Sequence, residues 1–286
     1  TSPAITDSQH WWSSQSTPFG TGNNLSNDCW YTTQYLTDAN KHKLQEGWKS
    51  MPDPEDPSKT LIFQENNWQN LALRTGISHN HHMEVGGSSD RAKFLAGIGY
   101  MTTEGTLKGT DYDRLSFNLN GEVNILKNLS INARMYFTQT TKNDSPFSLA
   151  GAFYRIPGTA PTTKIYNEDG SLTYGTSWGE ANPLYALNIV KPKNKTRTQN
   201  QTYTFGGNWN ILPELSFKPT VSMYRALTML DKFTPSHYNG RWIDNTREAS
   251  AERHIETHYQ VDAVLNYIKT FKEDHNLNVM LGLNYT

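Results

Sequence analysis

Histidine and acidic side chains that could bind a metal are clustered at residues 79–84. His79, His81, His82 and Glu84 lie close together in the sequence, and imidazole and carboxylate groups are common ligands of Zn²⁺. In an extended strand, His79 and His81 face one way while His82 and Glu84 face the other, so no three of these groups converge. We therefore expect a hydrogen-bonding wall here, and we predict no metal site and no cofactor.

A second acidic cluster, Asp53, Glu55 and Asp56, lies among prolines. Oxygen ligands in such loops suit Ca²⁺, but this segment lacks the glycine and the distal glutamate of an EF-hand. A solvated acidic turn is the simpler interpretation. The sequence also contains no nucleophile elbow, phosphate loop or HExxH string. We therefore predict a protein without enzymatic activity.

The most regular feature of the chain is alternation at a period of two between Tyr112 and Thr138, interrupted only by the short link Lys127-Asn128. One face is apolar and uncharged: Leu115, Phe117, Leu119, Gly121, Val123 and Ile125, then Leu129, Ile131, Ala133, Met135 and Phe137. The opposite face is polar and includes Asn118, Asn120, Arg134 and Tyr136. A soluble sandwich would bury the apolar face, whereas a membrane barrel would turn it toward lipid.

Connections between the alternating runs favour the barrel. They are short at 86–91, 127–129, 212–214 and 271–275, and longer at 103–111, 140–196 and 230–253. Transmembrane barrels have short periplasmic turns and long extracellular loops. We therefore predict an all-β fold, namely a fragment of an antiparallel transmembrane β-barrel with long extracellular loops, located in the cell outer membrane and in contact with its lipid.

The composition agrees with this fold. Only 35% of the 286 residues are hydrophobic and the mean hydropathy is -0.71, while aromatic residues make up 12%. No apolar run approaches the roughly 18 residues of a membrane helix. The net charge of -1 argues against nucleic acid as a partner. Cys29 is the single cysteine, which excludes an internal disulfide.

Two regions follow from these patterns. Residues 1–75 show no sustained period, and we predict a long loop region with a short helix from Ala39 to Trp48; that this loop region is extracellular is implied by the resemblance given below. Its tryptophans, among them Trp48 and Trp68, either pack the loop or form a ligand-stacking surface. Residues 76–286 are predicted to be consecutive antiparallel barrel strands. Because the start lacks a signal peptide and the last run stops inside an alternating strand, we expect both ends to be cuts in a longer chain.

Several short strings resemble the early barrel of SusC/RagA-type TonB-dependent outer-membrane transporters. The strings are Asn67-Trp68-Gln69-Asn70, Arg74 to His82, Val85-Gly86-Gly87-Ser88, Leu95 to Tyr100, Glu104-Gly105 and Asp111-Tyr112-Asp113-Arg114. The resemblance implies a barrel of about 22 strands. It further implies an N-terminal plug, TonB as the energy source acting through that plug, and a SusD-like surface lipoprotein as a lid.

This resemblance implies an importer of an oligomeric nutrient, with a glycan as the first candidate and a peptide as the second. The loop aromatics Tyr174, Trp178, Tyr238 and Trp242 are candidates for stacking on sugar faces, and Asn118, Asn120, Arg134 and Tyr136 are candidates for binding the substrate in the lumen. The simpler interpretations are loop packing and plug docking. Two other classes stay open: a passive porin or adhesin barrel without plug or lid, and a soluble β-sandwich lectin.

Overall fold

The computed structural model describes residues 31–53, 56–144, 156–167, 169–174, 182–190, 193–238, 242–272 and 274–286. The strands are β1 (Gln34–Tyr35), β2 (Lys49–Pro52), β3 (Thr60–Phe63), β4 (Ser78–Ser88), β5 (Ala92–Glu104), β6 (Asp111–Leu126), β7 (Leu129–Asn143), β8 (Lys193–Leu212), β9 (Leu215–Phe233), β10 (His237–Tyr238), β11 (Ile243–Asp244), β12 (Ala249–Phe271) and β13 (His275–Tyr285). No helix in these ranges is long and apolar enough to span a membrane.

Eight long strands form one antiparallel sheet in the order β13-β12-β9-β8-β7-β6-β5-β4. Sequence neighbours pair throughout, apart from the small hairpin β10-β11, which is inserted between β9 and β12. Tight links at 89–91, 127–128, 213–214 and 272–274 alternate with longer connections at 105–110, 144–192 and 234–248. The predicted rhythm of short and long connections is confirmed, and so is the antiparallel barrel fold class.

The strands are longer than the sequence pattern predicts. The predicted excursion at 140–196 is wrong at both ends, because β7 continues to Asn143 and β8 begins at Lys193. Gly86 and Gly87, predicted to lie in a turn, belong to β4. Backbone pairing continues beyond the apolar segment of each strand. In these outer parts both faces of the strand are polar, so the composition is that of a loop and the sequence pattern does not indicate a strand.

The apolar face of the sheet is the exposed one. On β6, Leu115, Leu119 and Val123 are 38–44% exposed, whereas Arg114 and Asn118 on the opposite face are half-buried. This is the reverse of a soluble sheet, where the apolar face is covered. The sandwich interpretation is wrong, because no second sheet of the described residues packs on this face. It is the lipid-facing surface of a membrane barrel, and the polar face lines the lumen.

The upper edge of the apolar face, toward the long connections, shows that the strands are tilted. This edge lies at Leu115 on β6, Phe137 on β7 and Tyr203 on β8. Leu115 pairs with Gln139 and Phe137 pairs with Gln201, so the edge moves by two residues at each of these two steps. Strands spaced about 4.8 Å apart and tilted by about 40° require a shift of roughly one residue per strand. The observed drift of the apolar face has this direction and order of size.

A compact unit of loop segments lies beyond the sheet and contains the buried hydrophobic core of the described residues. Its parts are the sheet β1-β3-β2, a helix at Trp68–Ala72, and residues of the 105–110 and 144–192 connections. Trp68, Ala72, Leu107, Ile156 and Leu184 are all buried together. The Trp68 indole Nε1 donates to the carbonyl of Ala160 at 3.0 Å, which ties the two long loop segments together.

The predicted helix from Ala39 to Trp48 is wrong. The structure has a 3₁₀ helix at Lys41–Leu44, flanked by turns, and Gly47 follows with a φ of 93°. This short helix buries none of its residues. Because it has no apolar face to pack, tertiary contacts add little to its stability, and short helices depend on such contacts.

Candidate functional site

The polar face of β6 and β7 brings the four predicted lumen residues together. Asn118 pairs in register with Tyr136, and Asn120 pairs with Arg134. Side chains on one face of directly opposed residues lie within about 5 Å at Cβ, so the four form one patch. β8 extends the patch, since Thr202 is opposite Tyr136 and Thr204 is opposite Arg134. We call these four predicted residues the lumen patch.

The lumen patch borders a pocket of about 200 Å³ whose lining includes Asn120, Arg134 and Leu95. Lys93 and Glu122 also line it and form an ion pair at 3.1 Å. Arg134 has no carboxylate partner among the described residues. Its guanidinium is therefore available to a carboxylate or hydroxyl acceptor from outside the sheet.

Gly97 on β5 makes room for the patch. It lies opposite Asn118, and a Cβ atom added to Gly97 would overlap the Asn118 side-chain oxygen and approach the Glu84 side chain at 3.1 Å. Without a side chain at position 97, Asn118 can lie flat across the wall. The sequence string around Gly97 thus has a steric role in shaping the lumen surface.

At the mouth, three tyrosines from different segments form an aromatic cluster. The rings of Tyr174 and Tyr185 lie 5.4 Å apart between centroids, and those of Tyr174 and Tyr238 lie 5.7 Å apart, both edge to face. Tyr174 and Tyr185 belong to the 144–192 connection and Tyr238 to β10 of the 234–248 connection. We call these three residues the mouth cluster; it joins the two longest connections.

Burial in the mouth cluster raises the pKa of the Tyr185 phenol; a hydrogen bond with the Tyr238 backbone opposes this rise, and the Tyr174 and Tyr238 phenols add to it. Tyr185 is therefore neutral at physiological pH and packs as an aromatic side chain. Tyr238 remains 43% exposed. In this cluster Tyr185 is packed against its neighbours and Tyr238 exposes a ring face. An aromatic surface that binds a ligand needs both features.

The structure brings Tyr174 and Tyr238 of the predicted loop aromatics into contact. Trp242, 59% exposed, lies next to Ile243 of the same hairpin, and Trp178 lies outside the described residues. Tyr185 is not among the predicted site residues. The sequence feature that could have indicated its position is the Asn182-Pro183 pair, because the Asn182 side chain caps a short helix that begins at Pro183 and includes Tyr185. Trp68 packs in the loop core, which supports the packing interpretation for that tryptophan.

The histidine strand has the alternation expected of it. The rings of His79 and His81 stack on one face at 6.4 Å, and His82 contacts Glu84 at 3.2 Å on the other.

Asp53 accepts a hydrogen bond from the Tyr35 hydroxyl at 2.9 Å. Hydrogen bonds from Ser58 and Lys59 lower the pKa of Asp56, and Glu55 lies outside the described residues. Within the described ranges, no group of three or more metal-ligating side chains converges.

Known proteins resemble this chain in sequence. No family model matches it. It is 24% identical over 218 residues to a TonB-dependent receptor of Formosa agariphila, covering 76% of this chain and 20% of that protein. It is 23% identical over 184 residues to the TonB-dependent receptor SusC of Bacteroides thetaiotaomicron, covering 56% of this chain and 17% of that protein. The chain thus spans about a fifth of the length of these relatives.

Solved structures share its fold. The RagAB peptide importer in its closed-closed state matches with a TM-score of 0.63 at 15% identity, covering 76% of this chain and 25% of that chain. A second structure, of the RagAB peptide transporter, matches with a TM-score of 0.63 at 14% identity, covering 77% and 25%. The sequence relatives and the shared fold confirm the resemblance seen in the motifs: the chain is a β-barrel segment similar to those of SusC/RagA-type TonB-dependent transporters of the outer membrane.

Proposed function

We propose that this chain is one wall of a TonB-dependent outer-membrane importer of an oligomeric nutrient. The observation that carries the proposal is the combination of an aromatic cluster among the long connections with a hydrogen-bonding patch on the polar face of the sheet. The mouth cluster belongs to the two longest connections, and the lumen patch belongs to the polar face of β6 and β7. A substrate entering past the long connections would meet the aromatic surface first and the hydrogen-bonding wall next.

A glycan suits this sequence of surfaces. Exposed aromatic faces pack against the apolar faces of sugar rings, and amide and guanidinium groups bond their hydroxyls. The lumen patch supplies such groups through the side chains of Asn118, Asn120 and Arg134. A peptide is the second candidate, favoured by the fold shared with the RagAB peptide importer. Arg134 would then hold a carboxylate of the peptide.

A SusD-like surface lipoprotein as the lid is part of the proposal. The supporting observation is exposed aromatic and aliphatic surface in the 234–248 connection, where Trp242 is 59% and Ile243 is 63% exposed. Apolar patches of this kind usually mark interfaces. TonB would supply energy through a plug segment, as the resemblance implies.

Uptake by cells that produce the intact transporter tests the proposal. We expect Tyr174→Ala/Tyr238→Ala to reduce uptake of a labelled oligosaccharide pool about tenfold, because the exposed ring of Tyr238 and the Tyr174 ring that packs against it are both removed. Tyr166→Ala is the matched control, since Tyr166 is a loop tyrosine with 57% exposure that lies outside the mouth cluster. A labelled peptide pool in parallel distinguishes the two substrate classes.

Two results would contradict this account. Uptake that continues unchanged after TonB is deleted would favour a passive porin. Equal uptake by the Tyr174→Ala/Tyr238→Ala and Tyr166→Ala variants would remove the mouth cluster from substrate handling. Deletion of 170–180, part of which lies outside the described residues, should weaken co-purification of the lipoprotein while the barrel stays folded.

A further inference from the structure

The outward face of β8 changes chemistry in a fixed order along its length. From the long-connection end toward the short turn, alternate side chains are basic, then amide, then aromatic, then mainly apolar. The series is Lys193, Lys195, Arg197, Gln199, Gln201, Tyr203, Phe205, Gly207, Trp209 and Ile211. In a barrel strand, this order follows the change from the polar layer outside a membrane, through the aromatic girdle, to hydrocarbon.

Neighbouring strands add cations to the same outward surface. In register, Arg197 lies opposite Met229 of β9, and Met229 lies opposite Arg253 of β12. Arg225 is two residues beyond Met223, at the edge of the apolar face of β9. We call Lys193, Lys195, Arg197, Arg225 and Arg253 the basic patch. Its members face the same way as the lipid-facing residues because they continue the same period of two.

The basic patch has too few acidic partners to neutralise it. Arg253 pairs with Asp231 at 2.8 Å. The other four cations form no ion pair among the described residues, although Lys195 lies opposite the same Asp231 in register. The Nε atom of Arg197 is buried and lacks a hydrogen-bond acceptor. Several cations close together with one carboxylate between them favour an anionic ligand from outside the chain.

The height of the patch above the apolar band restricts what that ligand is. Arg197 precedes Tyr203 by six residues, which is about 20 Å along the strand and, at a tilt near 40°, about 15 Å above the edge of the hydrocarbon. A phospholipid headgroup layer is only about 5–8 Å thick. A headgroup that reaches both Arg225 and Arg197 must be taller, as a chain of several sugars is.

Amide side chains between the cations suit those sugars. Gln199 and Gln201 lie between Arg197 and the aromatic girdle, and Gln199 donates to the Gln139 side chain of β7 at 2.8 Å. Amide groups both donate and accept, so they match sugar hydroxyls. The geometry points to a binding site for a phosphorylated glycolipid of the outer leaflet, with its phosphates on the basic patch and its sugars along the two glutamines.

Native mass spectrometry of the intact transporter, purified in mild detergent, tests this site. The probe is phosphorylated glycolipid extracted from the outer membrane of the producing cells. We expect Lys193→Gln/Lys195→Gln/Arg197→Gln to lower its affinity about a hundredfold, because each cation near an anionic lipid surface contributes roughly a fivefold increase in binding. Heat-modifiable migration on gels confirms that the variant barrel is folded.

The matched control is Lys142→Gln/Lys232→Gln. These lysines lie at similar heights on β7 and β9 but face the lumen, because they alternate with the outward residues. The control should retain the glycolipid. The site is overturned if both variants lose it equally or if neither does. It is also overturned if enzymatically dephosphorylated glycolipid, phosphatidylglycerol or inorganic phosphate alone binds as well as the intact lipid.

Discussion

An arginine on the lipid-facing side of β6 should lower the free energy of unfolding more than an arginine on its lumen-facing side. Leu119 is outward, opposite Met135 and Ala96, while Asn120 faces the lumen opposite Arg134. Leu119 lies four residues below Leu115, the upper edge of the apolar face, which places it about 10 Å inside the band at a tilt near 40°. A charge near the midplane costs about 2–4 kcal/mol, so we expect Leu119→Arg to destabilise the intact barrel by that amount.

The Asn120→Arg control carries a small cost that the structure identifies. Its new charge lies directly opposite Arg134, and like charges at opposed strand positions cost up to about 1 kcal/mol. Denaturant titration of the intact transporter in liposomes, followed by heat-modifiable migration, should therefore show a gap of roughly 2 kcal/mol between the variants. Equal midpoints for Leu119→Arg and Asn120→Arg would refute the assignment of these faces.

Three further predictions follow from the connections and the loop unit. In a Cys29→Ser background, an impermeant maleimide applied to whole cells should label Asn167→Cys and spare Asn128→Cys, because 144–192 is a long connection and 127–128 a tight turn; the opposite pattern would invert the topology. Gly76→Ala should cost about 1–3 kcal/mol, since its Cβ would overlap the carbonyl oxygen of Glu104, whereas Gly121→Ala, with nothing within 4 Å of its Cβ, should be neutral in the same denaturant titration. Trp68→Ala should cost the loop unit about 3–5 kcal/mol and make residues 31–73 sensitive to protease in the intact barrel, while Trp242→Ala should not; equal protease resistance would show that the core around Trp68 does not hold the loops.

Period-two alternation predicted the sheet well because side-chain direction in a strand is fixed by the backbone. Each residue from Leu115 to Ile125 had one of two possible directions, and the face without charge identified which was outward. The tight Lys127-Asn128 turn pairs Leu126 with Leu129, and a bulge between Asn124 and Leu126 then shifts the register by one residue, so that Asn118 pairs with Tyr136 and Asn120 with Arg134. The local pattern therefore predicted the face on which these four side chains lie, whereas the bulge that sets their pairing was not predicted.

The loop unit could not be predicted in the same way because its contacts are distant in sequence. Trp68 bonds to Ala160 across 92 residues, and Asn66 bonds to Thr163 across 97. The helix at Trp68–Ala72 has five residues, too few to show a 3.6-residue period. The mouth cluster likewise depends on where two long connections meet, and the aromatic composition of each connection indicated its members but not their contact.

The low hydrophobic content follows from the way the chain divides its apolar groups. In the sheet, only alternate residues over about ten positions of each strand need to be apolar, and the remaining positions face the lumen or the layer outside the hydrocarbon. In the loop unit, the buried apolar groups are few: Trp68, Ala72, Leu107, Ile156 and Leu184 form one cluster, and Leu61, Ile62 and Phe63 are buried in β3. A chain with 35% hydrophobic residues therefore supports both a lipid-facing wall and a packed aqueous cap. Its polar majority is the expected composition where a barrel wall lines a lumen and extends beyond the hydrocarbon of the membrane.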